Sequence, residues 1–182
     1  MEAQATKVRT GLVRFSYASL IEPREFDGST FYQADLIIPK KDTKTLDNIK
    51  KAIQAAKVKG EEKWPGKFKV DKYPLLDGDI EKPDQEEYSG CYFIRAKSKS
   101  KPGLIDANKE RIYDPKEFYS GVYGRASVNF YPYNVSGNKG VAVGLNNAQK
   151  LVNGPSLSSI AAPEEDFDDL DDIDIDEENL PF

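Results

Sequence analysis

Apolar residues recur at every second position over much of this chain, the period of a strand with one buried face. In "VRTGLVRFSYASL" the alternation puts Val13, Phe15 and Tyr17 on one face. In "FYQADLIIPK" it sets Tyr32, Ala34, Leu36 and Ile38 against Gln33 and Asp35, and Pro39 ends the run. Asp27-Gly28 between the two segments is a turn signal and predicts a hairpin. From Asp42 the period lengthens. Leu46, Ile49, Ile53 and Ala56 stand at helical spacing, with Asp42 or Thr43 as cap, which predicts one amphipathic helix ending near Gly60. Such a helix could cap a core or form a dimer contact. Trp64, in the connector "EEKWPGKF", reads as a lid over the core rather than a base-stacking platform.

The second half returns to alternation. "GCYFIRAKSKSK" sets Tyr92, Ile94, Ala96 and Ser98 against Phe93, Arg95, Lys97 and Lys99. "GVYGRASVNFYPY" sets Val122, Gly124, Ala126, Val128 and Phe130 against Tyr123, Arg125, Ser127, Asn129 and Tyr131. Asn138-Lys139-Gly140 then predicts a turn into a short strand, "VAVGLN". Five or so strands with one interposed helix predict a mainly β fold, an open barrel of OB-fold type.

Charge divides the chain in two. Residues 163–182 hold eleven of the 31 acids and no Lys or Arg, leaving 26 basic against 20 acidic residues before them, a net +6. The formal charge of -5 therefore hides a mildly basic body joined to an acidic tail, a pattern that suggests an electrostatic partner. The expected organisation is one domain over residues 1–155, long enough for a single core, then a flexible linker and acidic interaction tail over 156–182, with "NGPSLSSIAAP" as the linker.

Other counts narrow the chemistry. The single Cys91 excludes an intramolecular disulfide, and with no His there is no Cys/His zinc site and no Ser/His/Asp or Cys/His catalytic constellation. No phosphate loop or dinucleotide fingerprint occurs, so neither cofactor nor catalysis is expected. Asp77 and Asp79 in "LLDGDIEKPDQEEY" read as a solvated turn in preference to a magnesium site. With no signal sequence or long apolar run, a soluble cytoplasmic protein without a membrane partner is expected.

What remains is interleaved aromatic and cationic residues. Single-stranded nucleic acid offers phosphates and bare base faces, and a protein that holds it without sequence preference needs cations along the backbone and rings for stacking. The candidate face joins Phe93, Arg95, Lys97, Lys99 and Lys101 from one strand to Tyr123, Arg125, Tyr131 and Tyr133 from another. Any one of these rings could equally serve a barrel core. Two other readings are a magnesium-dependent nuclease, which would need convergent carboxylates, and an acidic adaptor or DNA mimic, which would not need this face.

The chain ends in Asp176, Glu177, Glu178, Asn179, Leu180, Pro181 and Phe182. A terminal ring beside a main-chain carboxylate and upstream acids suits an apolar pocket with a Lys/Arg rim. This ending resembles the tip of bacterial single-stranded-DNA-binding proteins, which implies recruitment of replication, recombination or repair proteins through Asp176–Glu178 and Leu180–Phe182. The body, through "FYQADLIIPK", "PLLDGD", "YSGCYFIRAKSKSKPGLID" and "FYSGVYGRASVNFYPYNVSGNKGVAVGLNNAQKL", resembles instead the bacteriophage single-stranded-DNA-binding family, OB-fold proteins once known only as a domain of unknown function. The resemblance spans roughly Leu12 to Leu157. It implies a non-catalytic coat for single-stranded DNA in the host cytoplasm; a dimer contact through the helix from Asp42 would make the protein a homo-oligomer.

Overall fold

The structure is a computed structural model and describes residues 6–157 and Glu178. The elements run β1 (Lys7–Arg9), β2 (Val13–Phe26), β3 (Ser29–Pro39), α1 (Thr43–Lys63), β4 (Leu76–Asp77) and α2 (Gly78–Glu81), followed by a 3-10 turn at Glu86–Tyr88. They continue as β5 (Cys91–Ser98), β6 (Gly103–Ile105), β7 (Tyr123–Val135) and β8 (Asn138–Val152). Five strands close on themselves. β2 pairs β3, β3 pairs β5, β8 pairs β7 and β7 returns to β2, all antiparallel, while β5 and β8 pair in parallel. This is the Greek-key barrel of the OB-fold, with β1 added beside β7 and β6 beside β8.

The expected alternation builds the interior. Val13 and Phe15, Ala34, Leu36 and Ile38, Ile94 and Ala96, and Ala126, Val128 and Phe130 all point inward and are buried. Each large side chain removed from water in this way contributes about 1.5–3 kcal/mol before entropy is counted. Leu46, Ile49, Ala52, Ile53 and Ala56 of α1 belong to the same core, so the helix caps the barrel. Asp42 is its N-cap, accepting from the Thr45 amide, and the Thr45 hydroxyl in turn accepts from the Gly11 amide and ties the β1–β2 connection to the helix.

The strand pairs β2–β3 and β7–β8 are long hairpins. Asp27 and Gly28 (φ 51° and 77°) join β2 to β3, and Ser136 and Gly137 (φ 52° and 85°) join β7 to β8. Positive φ at both central residues is the two-residue turn that matches strand twist. The second turn therefore precedes Asn138-Lys139-Gly140, which already lie in β8, and "VAVGLN" is part of a strand of 15 residues.

Three further expectations are corrected. Gly60 does not stop the helix, which continues to Lys63; a Cβ there would stand 2.5 Å from the Phe68 ring, so the glycine permits a close approach. Tyr17 does not share the face of Val13 and Phe15. It sits at a bulge with φ 47°, where the β2–β3 register shifts between Ser16 and Ser19, and its ring turns outward. Phe93 is fully buried on the outer side of the sheet, where Ile37 and Tyr88 form a second small core with it. Tyr88 packs edge-on against Phe93 at 4.9 Å, so the 3-10 turn covers one end of the outer face of β5 and leaves the other end open.

Residues 153–157, the first part of the expected linker, are tied to the barrel. The Tyr119 hydroxyl donates to the Gly154 carbonyl, Arg14 to the Pro155 carbonyl, and the Leu157 amide to the Ser120 carbonyl. The acidic tail beyond lies outside the described residues, apart from Glu178.

Candidate nucleic-acid interface

The open end of β5 carries Arg95 and Lys97, both exposed. In register beside them on β3 stand Asp35 and Gln33. Asp35 is 5% exposed, accepts a 2.7 Å hydrogen bond from the Tyr88 hydroxyl and lies 3.7 Å from Arg95 Nε. Burial raises its pKa above 3.8, against the lowering effects of the Tyr88 hydrogen bond and of Arg95, Lys82 and Lys97. Arg95 is thus held at its Nε while its side chain remains 54% exposed. Lys97 reaches over the Phe31 ring at 5.1 Å.

On the other side of β5, the outward row of β8 is Gly140, Ala142 and Gly144, residues too small to fill the space above them. Their partners on β7 are Tyr133, Tyr131 and Asn129. The two rings fold over the glycines. Tyr133 Oη lies 2.9 Å from where a Cβ on Gly140 would stand, and Tyr131 Cε1 3.5 Å from that of Gly144. Lys97 opposes the same Gly144 from β5. The result is a groove of about 810 Å³ with Arg95 and Lys97 along one wall, Tyr131 and Tyr133 along the other, Ala142 between them, and Lys72 and Tyr73 at one side.

The bulge in β2 adds to this face. Tyr17, turned outward, donates its hydroxyl to Gln85 Oε1 and has Lys82 Nζ 5.1 Å from its ring centre. With Arg24 and Gln33 it lines a smaller groove of about 260 Å³ that shares Arg95 and Lys97 with the first. The two grooves therefore meet at β5. Aromatic surfaces flank a central pair of cations, with further cations at both ends.

Of the residues singled out from sequence, Arg95, Lys97, Tyr131 and Tyr133 come together here. Phe93 does not, because the Tyr88 cover makes it core. Tyr123 lies elsewhere, with the Arg14 guanidinium 5.0 Å over its ring and Gly154 packed against its edge. Arg125 donates to Gln149 Oε1 at 2.7 Å and lines a different groove. Lys99 and Lys101 are exposed after the end of β5, outside both linings. Asp176, Glu177, Leu180, Pro181 and Phe182 lie outside the described residues. Trp64 is half-buried and stacks on Phe68 at 5.8 Å.

Sequence reasoning missed Tyr17, Phe31, Tyr73, Arg24, Lys72 and Lys82. The small-residue rhythm of "GVAVG" is the available signal for the groove floor. Asp77 and Asp79 both bind Lys40 Nζ, at 2.9 and 2.7 Å, and Asp79 also accepts from the Gly90 amide. Hydrogen bonding to Asp79 and Asp77 raises the Lys40 pKa, and the bond from Lys40 lowers that of Asp79. Their oxygens thus serve an ammonium group. Among the described residues, no group of three or more His, Cys, Asp or Glu side chains could hold a metal ion, and no helix is long and apolar enough to cross a membrane.

An OB barrel with tyrosines and cations along its open face has the surface chemistry that a single nucleic-acid strand requires. Comparison with known proteins specifies the class. A family model described as "Enterobacter phage Enc34, ssDNA-binding protein" matches residues 6–180, and the chain belongs to this family. It is 33% identical over 180 residues to protein p50 of Acyrthosiphon pisum secondary endosymbiont phage 1, covering 90% of this chain and 94% of that one. In fold it matches the single-stranded DNA-binding protein from bacteriophage Enc34 in complex with ssDNA, with TM-score 0.76 and 21% identity over 85% of this chain and 91% of that one. It also matches gp2.5, a single-stranded DNA-binding protein encoded by bacteriophage T7, with TM-score 0.61 and 18% identity over 88% and 91% of the two chains.

Proposed function

We propose that this protein binds and coats single-stranded DNA without sequence preference, as a non-catalytic component of phage DNA replication, recombination or repair. The observation that carries this reading is the pair Arg95 and Lys97 facing Tyr131 and Tyr133 across the floor of small residues. The cations meet phosphates and the rings meet bases, so the binding energy does not depend on base identity. Family membership supports the same reading.

The tail has two roles in this proposal. Phe182 and its neighbouring acids dock a partner protein. The eleven acids of residues 163–182 also act as a tethered polyanion that DNA must displace from the basic body. Coating and recruitment are then coupled.

Filter binding with labelled oligo(dT), with and without magnesium, tests the core of this reading. Salt-sensitive retention of intact DNA is expected. In the double variant Arg95→Gln/Lys97→Gln the slope of log K against log salt should fall by about 0.7 for each phosphate no longer neutralised. Degradation of the DNA in magnesium would favour a nuclease, and no retention would favour an adaptor.

A further inference from the structure

Apart from the joined grooves at β5, which form one stacking face, a second groove, of about 870 Å³, lies where β1 and α1 meet β7. Lys7 and Arg9 enter it from β1, Lys44, Asn48 and Lys51 from α1, and Arg125 and Ser127 from β7. The α1 residues stand at i, i+4 and i+7, on one side of the helix. Asp42 is the one acid in the lining, and its oxygens are taken by the amide and hydroxyl of Thr45. None of the five cations forms an ion pair with a described residue. Arg125 is held in place by Gln149, which is 8% exposed and itself fixed by donating to the Asp106 carbonyl. No aromatic residue lines this groove.

The strand register connects it to the OB face. Lys97 on β5 opposes Gly144 on β8, Gly144 opposes Asn129 on β7, and Asn129 opposes Lys7 on β1. These four outward positions cross the sheet in one row. Three inter-strand spacings of about 4.8 Å separate Lys97 from Lys7, roughly 14 Å. The row contains no acid.

We infer that single-stranded DNA leaving the stacking groove crosses over Gly144 and Asn129 and continues along the second groove, which holds its sugar-phosphate backbone through Arg9, Lys44, Lys51 and Arg125. This rests on the proposed DNA-binding face and extends it. Cations and amides without rings suit phosphates and not bases. The uninterrupted row from Lys97 to Lys7 favours the continuing strand over a separate polyanion. The OB face thus supplies stacking, and the second groove supplies a salt-sensitive extension of the site.

The test compares the full chain with the variant Arg9→Gln/Lys44→Gln/Lys51→Gln, all exposed positions, on oligo(dT) of about 6 and about 20 nucleotides, the first near the lower end of the roughly 4–16 nucleotides of one OB-fold and the second beyond it. The variant should bind the short oligonucleotide as the parent does and forfeit most of the parent's gain in affinity with length. Its salt slope on the long oligonucleotide should fall by about 2, near 0.7 for each of three phosphates released. Equal weakening at both lengths would mean a general field, and no change at either would mean an idle surface; each overturns the inference. A variant altered only in its affinity for a synthetic peptide of residues 163–182 would assign the groove to the acidic tail and overturn it as well. Failure of the parent to bind the short oligonucleotide would instead overturn the proposed face.

Discussion

The ring of Tyr131 rests on Gly144, its Cε1 3.5 Å from the position a Cβ on that glycine would take. The contact is ordinary for a methyl group but leaves no room for a branched side chain beneath the ring. Gly144→Ala should therefore bind oligo(dT) nearly as the parent does. Gly144→Leu should unseat Tyr131 and weaken binding about tenfold or more, near 1.4 kcal/mol. Its melting temperature should change little, because position 144 faces outward. Titration beside a thermal melt checks both, and parental affinity in the leucine variant would contradict this role for the floor.

The aromatic residues should separate into two classes on truncation. Tyr17→Ala and Tyr131→Ala should each weaken oligo(dT) binding by about 1–3 kcal/mol with little loss of stability. Phe93→Ala should lose about 3–5 kcal/mol of stability while affinity per folded molecule holds. Tyr17 carries a further signature. At φ 47° a glycine avoids the Cβ penalty of left-handed backbone, so Tyr17→Gly should be more stable than Tyr17→Ala by about 1 kcal/mol. Denaturant melts measure that difference.

These two classes also mark what the sequence could and could not disclose. Alternation locates β2, β3, β5 and β7 because each buries one face, and helical spacing locates α1 because Leu46, Ile49 and Ile53 line one side. Alternation also places Arg95 and Lys97 outward. It assigns a face but does not say what covers it. Phe93 shares its face with Arg95, yet a turn five residues upstream in the chain folds Tyr88 over it. Tyr17 fails for the opposite reason, since a bulge reverses the period within a strand. Gly60 reads as a stop because a glycine that admits a neighbouring ring and a glycine that ends a helix look alike in sequence.

Asp35 should make stability depend on pH in a defined direction. Burial raises its pKa above 3.8, so the folded chain holds this proton more tightly than the unfolded chain does. Stability should fall as pH rises from 3.8 through the displaced value and level off above it. Asp35→Asn keeps an acceptor for the Tyr88 hydroxyl and removes the charge beside Arg95. Its urea-melt profile should lose that slope, and its oligo(dT) affinity at neutral pH should rise. Identical profiles for parent and variant would contradict the assignment.

Deleting residues 163–182 should tighten oligo(dT) binding at about 20 mM salt, where the Debye length is roughly 20 Å, and the gain should shrink as salt is added. Removing Phe182 alone deletes the ring but none of the acidic side chains, and DNA affinity should stay near the parental value. Paired salt titrations of the two truncations check this. Equal affinities for the parent and the longer deletion at low salt would reduce the tail to a docking handle.

Photochemical cross-linking to oligo(dT) carrying 5-iododeoxyuridine, with the attachment sites read by mass spectrometry, asks where the bases lie. Efficient transfer requires an aromatic ring stacked on the halogenated base. Attachment is predicted at Tyr131 or Tyr133 and at Tyr17, on the two grooves that meet at Arg95 and Lys97. It should disappear when those two cations are replaced by glutamine. Attachment confined to Trp64 or Tyr113, with none on this face, would contradict the account.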